Sequence, residues 1–363
     1  MMTSRERLDR CFRRQETDRP GLFMRGVGEN APPHPSYRPL RELVLEKCDL
    51  KSLYYFGDHK DRSARESWTE PHNEEFERQV TVVHTPKGDL RECFMRGLLG
   101  QPGYTEKHLI ETPEEAERYL SLPAENFVFD PEDFFALDRK IGDRGVAVAD
   151  LGFNPAGAVA ELLGSELFAW WSIDERDLLC ALMEKERDVL LANVRALIES
   201  GIGPYFGMLG EEYITPPLHG VNDFYEFNVV YDKPIADLIH NAGGLLHIHS
   251  HGPLKDVLPY FIELGADVLH PIEAPPMGNV TLREAKEVLR GRVCIEGNIQ
   301  IGDMYEKEPE DIRAQAREII RDGFDDRTGL IVCPTASPFV PEMSERVLEN
   351  YRTLIETVLN RQA

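Results

Sequence analysis

No Cys-x-x-Cys pair occurs in this chain, and its six cysteines (Cys11, Cys48, Cys93, Cys180, Cys294 and Cys333) are widely scattered. Cysteine usage of that kind points to reduced thiols in a cytoplasmic protein. No apolar run approaches the roughly 18 residues that a membrane span needs. The stretch from Met1 to Arg14 is charged and lacks an apolar signal core, so it does not read as a secretion signal. Positive charge is also short. Against 41 Lys and Arg stand 64 Asp and Glu, a net charge of -23. Nucleic acid is a poor fit as a partner, because phosphate binding needs a basic face. Internal repeats and low-complexity tracts are absent too. What remains is a chain of 363 residues, 42% of them hydrophobic. That is enough to bury a large core, and residues 1–363 read as a single domain.

Short apolar runs alternate with helical patterns through most of the sequence. Strands are expected at Gly21–Arg25, Ser52–Phe56, Val146–Asp150, Tyr205–Gly210, Leu245–His249, Asp267–Pro271, Val293–Glu296 and Leu330–Cys333. Helices fit between the later ones. Pro253–Leu264 carries apolar residues at helical spacing. Thr281 and Glu284 make a capping box for a helix to Leu289. Glu308–Asp322 is acidic first and basic later, as the helix dipole favours. Eight strand–helix units predict an α/β fold, a (β/α)8 TIM barrel. Gln79–Thr85 and Leu90–Met95 flank the polar turn Pro86-Lys87-Gly88-Asp89, which predicts a β-hairpin insertion near residues 79–95.

Barrel enzymes place their chemistry at the C-terminal ends of the strands. Asp150, Glu211, His249, His270 with Glu273, Glu296 and Cys333 all fall at such ends. Glu211, Glu226 and His247 form the sharpest pattern, with fourteen residues between the glutamates and twenty between Glu226 and the histidine. In a strand, His247, His249 and His251 would share one face. Carboxylate and imidazole donors from neighbouring strand ends could hold zinc. The spacing alone is equally compatible with surface carboxylates and hydrogen-bonded core histidines.

Thr3-Ser4-Arg5-Glu6-Arg7 is followed by Glu16-Thr17-Asp18-Arg19-Pro20 before the first strand. The second half carries His249-Ser250-His251-Gly252, Leu254, Leu258-Pro259 and Ile262-Glu263-Leu264-Gly265-Ala266-Asp267. Together these resemble the uroporphyrinogen decarboxylase superfamily over nearly the whole chain. That superfamily is a (β/α)8 barrel and contains porphyrinogen decarboxylases and cobalamin-dependent methyltransferases. True decarboxylases carry Arg-Gln-Ala-Gly-Arg-Tyr after the first strand, where paired arginines meet substrate carboxylates. Phe23-Met24-Arg25-Gly26-Val27-Gly28 stands there instead, and only Arg25 could substitute.

The methyltransferase branch is the better match. The spacing of Glu211, Glu226 and His247 resembles the zinc motif of corrinoid-dependent O-demethylase methyltransferases. Thiol-directed relatives use His-x-Cys and a later Cys. Here His247-Ile248-His249 has a histidine in place of the first cysteine, and Cys333 resembles the later one. The resemblance therefore implies zinc on some combination of Glu211, Glu226, His247 and Cys333. His249 and His251 remain open as ligands or as residues that orient them. It implies methyl transfer from a methoxylated aromatic compound to a Co(I) corrinoid, with Glu211 and His247 as catalytic residues. Tyr54 is the acid candidate, with Tyr205 and His270 beside it. Aryl contacts could come from Phe23, Tyr54, Tyr55, Trp170, Trp171 and Phe339. Transfer to a thiol or tetrahydrofolate, uroporphyrinogen decarboxylation, and a non-catalytic binding barrel remain alternatives. Asp237-Leu238-Ile239-His240-Asn241-Ala242-Gly243 is an imperfect match to the Asp-x-His-x-x-Gly loop of cobalamin modules, and reads as a helix with a glycine stop. The cobalamin would thus be supplied by a partner corrinoid protein docked over the barrel mouth. A homodimer is compatible with the resemblance.

Overall fold

The computed structural model describes residues 2–28, 34–56, 65–99, 101–123 and 127–360. The apolar runs become parallel strands β1 (Gly21–Leu22), β2 (Leu50–Tyr55), and, after an antiparallel insertion, β7 to β12. The insertion holds β3 (Arg65–Pro71), β4 (Phe76–Val83), β5 (Leu90–Gly97) and β6 (Tyr104–Lys107). The later barrel strands are β7 (Gly145–Phe153), β8 (Tyr205–Leu209), β9 (Leu245–His249), β10 (Val268–His270), β11 (Cys294–Ile299) and β12 (Leu330–Pro334). The eight parallel strands run in the order β1-β12-β11-β10-β9-β8-β7-β2 and curl into the α/β barrel that the sequence predicts. β1 and β2 meet through one backbone bond, Asp49 N–H to the Leu22 carbonyl at 2.9 Å. Beyond that bond the described backbone forms a seam between the two strands.

Strand alternation sorts the side chains into two sets. Leu22, Ala147, Phe206, Leu246, Leu269, Ile295 and Val332 point outward and pack under the helices in the main core. Val146, Tyr205, Leu245, Val268, Cys294 and Ile331 point inward, where Leu8, Cys11 and Phe12 of the helix Ser4–Phe12 close the N-terminal end of the barrel. Buried apolar surface of this kind is the main stabilising term. The interior above that plug is polar.

The expected hairpin is real but incomplete, because β3 and β6 extend it to a four-stranded antiparallel sheet, β3-β4-β5-β6. The helix expected over Pro253–Leu264 begins later, at Leu258. The helix after Thr281 has its expected capping box with Glu284. No helix among the described residues is long and apolar enough to cross a membrane.

Candidate active site in the barrel interior

Register fixes which residues meet inside the barrel. β2 places Lys51 and Tyr55 inward, β7 Asp150, β9 His247 and His249, β10 His270, β11 Glu296 and β12 Cys333. Gly207 pairs with His247 across β8 and β9 and carries no side chain, so space is left beside the imidazole. A cavity of about 540 Å3 opens there, lined by Arg25, Lys51, Tyr55, Asp150, His247 and His249 among others. That is an ordinary size for a small-molecule site. Its wall also includes Ser52, Leu137 and Ile141, so it follows the seam beside β2.

Lys51 is the hub. Its ammonium donates to both Glu296 oxygens at 2.6 Å and to His247 Nε2 at 3.1 Å, and it lies 4.7 Å above the Phe23 ring. Lys51 and Glu296 are almost wholly buried, with side-chain exposures of 3% and 0%. Burial alone would raise the Glu296 carboxyl, yet the Lys51 ammonium holds it well below the usual carboxylate range. An ammonium only donates, so His247 Nε2 accepts and this ring is neutral. Burial, with Lys51 next, drops its pKa to about 4.

Around this hub lie two more imidazoles. His270 Nε2 is 3.1 Å from the Pro334 carbonyl, and His270 Nδ1 is 2.7 Å from His249 Nδ1. A carbonyl only accepts, so the His270 proton sits on Nε2 and His249 Nδ1 donates to His270 Nδ1. His249 Nε2 then keeps a lone pair. Burial drives both rings below their ordinary pKa, so both are neutral. Cys333 is fully buried and its thiol is pushed up to about 12, by burial first and by Glu296 next.

Glu211, Glu226, His247 and Cys333 do not converge as the sequence spacing suggests. Among the described residues, the group whose ligand atoms all lie within 4.8 Å of one another is His270, Glu296 and Cys333. Glu226 is on a π-helical turn, Tyr225–Val229, with its side chain 54% exposed and ion-paired to Arg176. Glu211 opens a 3-10 turn after β8 and is wholly buried, and neither carboxylate oxygen has a hydrogen-bond partner. Burial, then the nearby Asp232 and Glu212, raise its carboxyl well above the ordinary value. Asp232 is also raised by burial, although Asn154 donates to it.

Tyr54 faces away from the cavity. Its hydroxyl donates to the Asp130 carbonyl at 3.1 Å and its ring packs on Phe134, outside the sheet. Alternation gives the interior position to Tyr55 instead. Tyr205 donates to Asp9 at the plugged end, at 2.8 Å. Trp170 and Phe339 are 60% and 65% exposed, and Trp171 packs with Phe168 in a separate core outside the barrel. His251 lies 3.2 Å from Glu273. Lys51 escaped the sequence reading because lysine usually marks solvent; its signal was its place two residues before the inward Leu53.

The family model described as Uroporphyrinogen decarboxylase (URO-D) matches residues 151–360, more than half of the chain. The chain belongs to the uroporphyrinogen decarboxylase family. Within the URO-D match lie His247, His249, His270, Glu296 and Cys333, whereas Arg25, Lys51 and the four-stranded sheet lie before it. The structure of a methyltransferase from Methanosarcina mazei aligns over 100% of both chains at 15% identity, with a TM-score of 0.64. A D-psicose 3-epimerase, solved in the presence of D-fructose, aligns over 64% of this chain and 84% of that one at 8% identity, with a TM-score of 0.39. At such identities the first likeness is one of fold. No curated protein matches.

Proposed function

We propose that this URO-D family chain is a zinc-dependent corrinoid methyltransferase, an O-demethylase component. It would move a methyl group from a methoxylated aromatic compound to the Co(I) corrinoid of a partner protein. The observation that carries this reading is a buried imidazole, carboxylate and thiol whose ligand atoms lie within 4.8 Å, inside a cavity-bearing barrel. Nitrogen, oxygen and sulfur donors together suit zinc. His270, Glu296 and Cys333 would hold it, His270 through the Nδ1 lone pair that otherwise accepts from His249, with the neutral rings of His247 and His249 beside them. Zinc bound there supplies Lewis acidity at an ether oxygen.

The chain's own groups support the rest. Arg25 lines the cavity, with its backbone hydrogen-bonded to Cys333. It is suited to orienting a ring that carries a carboxylate. Asp150 is raised above its ordinary pKa by burial, with Gly152 N–H and Arg25 pulling the other way. Its carboxyl can hold a proton near a departing phenolate oxygen. Tyr55 offers an aromatic edge to the same cavity. A porphyrinogen is a poorer fit, because Arg25 is the one arginine in the described lining and, of the two lysines there, Lys51 is committed to Glu296.

The test is zinc-loaded protein mixed with a Co(I) corrinoid protein and a panel of methoxybenzenes, with cobalt followed by its absorption. Formation of methyl-Co(III) with an aryl methyl ether is expected. Absence of methyl-Co(III) with every ether, or turnover of uroporphyrinogen, would overturn the reading.

A further inference from the structure

Lys51 occupies a position that no metal motif accounts for. Its ammonium engages both oxygens of Glu296 and the Nε2 lone pair of His247, at 2.6, 2.6 and 3.1 Å. Glu296 is in the group within 4.8 Å, and His247 belongs to the sequence motif, so a single cation sequesters donors from both. We propose that Lys51 is the resident counter-cation of this donor cluster, which a divalent ion must displace in order to bind. This inference rests on the reading of His270, Glu296 and Cys333 as a metal site.

The charge balance supports it. In the metal-free chain one ammonium compensates one carboxylate, and the three imidazoles and the thiol are neutral. A buried carboxylate without such a partner would be costly. Binding a divalent ion through Glu296 and the Cys333 thiolate releases the thiol proton and neutralises the ion with two negative ligands. Lys51 has then lost the carboxylate that compensated it and is a surplus positive charge, costly to keep in a buried setting. The lysine stem is flexible and its residue lines the cavity, so the ammonium has room to withdraw there. Lys51 thus keeps the empty cluster folded at the expense of metal affinity. Once displaced, it leaves a cation in the cavity for an anionic leaving oxygen.

The test is zinc affinity of the full chain, measured by competition with a chromophoric chelator rather than by activity. Lys51→Met and Lys51→Gln remove the charge, and Gln keeps a donor for Glu296 should Met fail to fold. Each should bind zinc about tenfold or more tightly than the wild type. Lys51→Arg keeps the charge and should match the wild type or bind more weakly. Cys333→Ser, as a site control, should bind at least about a hundredfold more weakly. If both neutral variants bind zinc no more tightly than the wild type while Cys333→Ser still loses it, the counter-cation role is overturned and the metal site stands. If the wild type binds no zinc, or Cys333→Ser binds as well as the wild type, the metal site falls and this inference with it.

Discussion

At the N-terminal end of the barrel, Asp49 is wholly buried and both its oxygens are fully engaged. Arg7 and Arg19 donate to one oxygen at 2.9 Å each, and Arg19 and the Leu22 N–H donate to the other at 2.8 and 2.9 Å. Asp267 has a similar setting, with Arg14 at 2.6 Å, the Leu246 N–H at 2.8 Å and His240 at 2.8 Å. At the C-terminal end the wholly buried Glu211 has no partner on either oxygen, and Ser250 Oγ and Asn298 Oδ1 also lack one. Several imidazoles there are held neutral by burial. The buried carboxylates at the plugged end are satisfied as structure requires, although Arg14 Nε and Thr17 Oγ1 there lack a partner. At the open end Glu296 is paired with Lys51, but Glu211 is left without partners at a cost in stability. Such unevenness within one barrel is what a site of chemistry looks like.

Substitutions at the two ends should therefore fail in different ways. Cys333→Ser and Glu296→Gln should lower methyl transfer to the corrinoid about a thousandfold or more, through lost Lewis-acid stabilisation. Their unfolding curves should show a folded protein. Collapse of the fold in both would make the cluster structural and erase the contrast.

Arg7→Met should do the reverse. It leaves Asp18 without its guanidinium and Asp49 with Arg19 alone, and breaking a buried pair costs up to about 3–5 kcal/mol. Denaturant titration would measure that loss, while the folded fraction should keep its turnover. A loss of turnover in folded protein would show that the plugged end reaches the chemistry.

The pH response separates the ends more finely. Asp267 is held below its ordinary pKa, since His240, the Leu246 N–H and Arg14 outweigh the burial that raises it. Its folded pKa is below the unfolded one, so its contribution is present above the ordinary carboxylate pKa and lost as pH falls through the lowered value. Glu211 has the opposite sign, being raised by burial and then by Asp232. Its contribution is full below the ordinary carboxylate pKa and lost as pH rises through the raised value. Glu211→Gln should therefore flatten the alkaline side of the stability profile and leave the acid side unchanged. Denaturation midpoints from pH 5 to 9 would reveal it. An unchanged alkaline slope would mean that Glu211 is ionised in the fold.

The smallest effect is expected at Glu226. Its pair with Arg176 is largely exposed, so Glu226→Gln should change stability by less than about 0.5 kcal/mol and leave zinc content intact. Zinc loss on that change would restore the glutamate spacing as a metal motif.

How far the sequence could be read follows the same division. The parallel strands were legible because runs such as Leu245–His249 are apolar and β-prone over a whole strand. β3, Arg65–Pro71, was not, since its sequence Arg-Glu-Ser-Trp-Thr-Glu-Pro is mostly exposed and polar. β6 is four residues long, too short to show a period. At the site, strand ends brought Glu296, His270 and Cys333 into view. Spacing along the chain then grouped Glu211 and Glu226 with His247, although a 3-10 turn and a π-helical turn carry those two elsewhere. Choosing between Tyr54 and Tyr55 needed the parity of β2. That parity is visible only once Lys51 and Leu53 are known to face inward, and a strand taken to begin at Ser52 hides it.

X-ray absorption at the zinc edge of the metal-loaded full chain tests the central claim most directly. Ligation by His270, Glu296 and Cys333 predicts one sulfur at about 2.3 Å together with nitrogen and oxygen ligands at about 2.0–2.2 Å. A shell of nitrogen and oxygen alone, unchanged in Cys333→Ser, would contradict it.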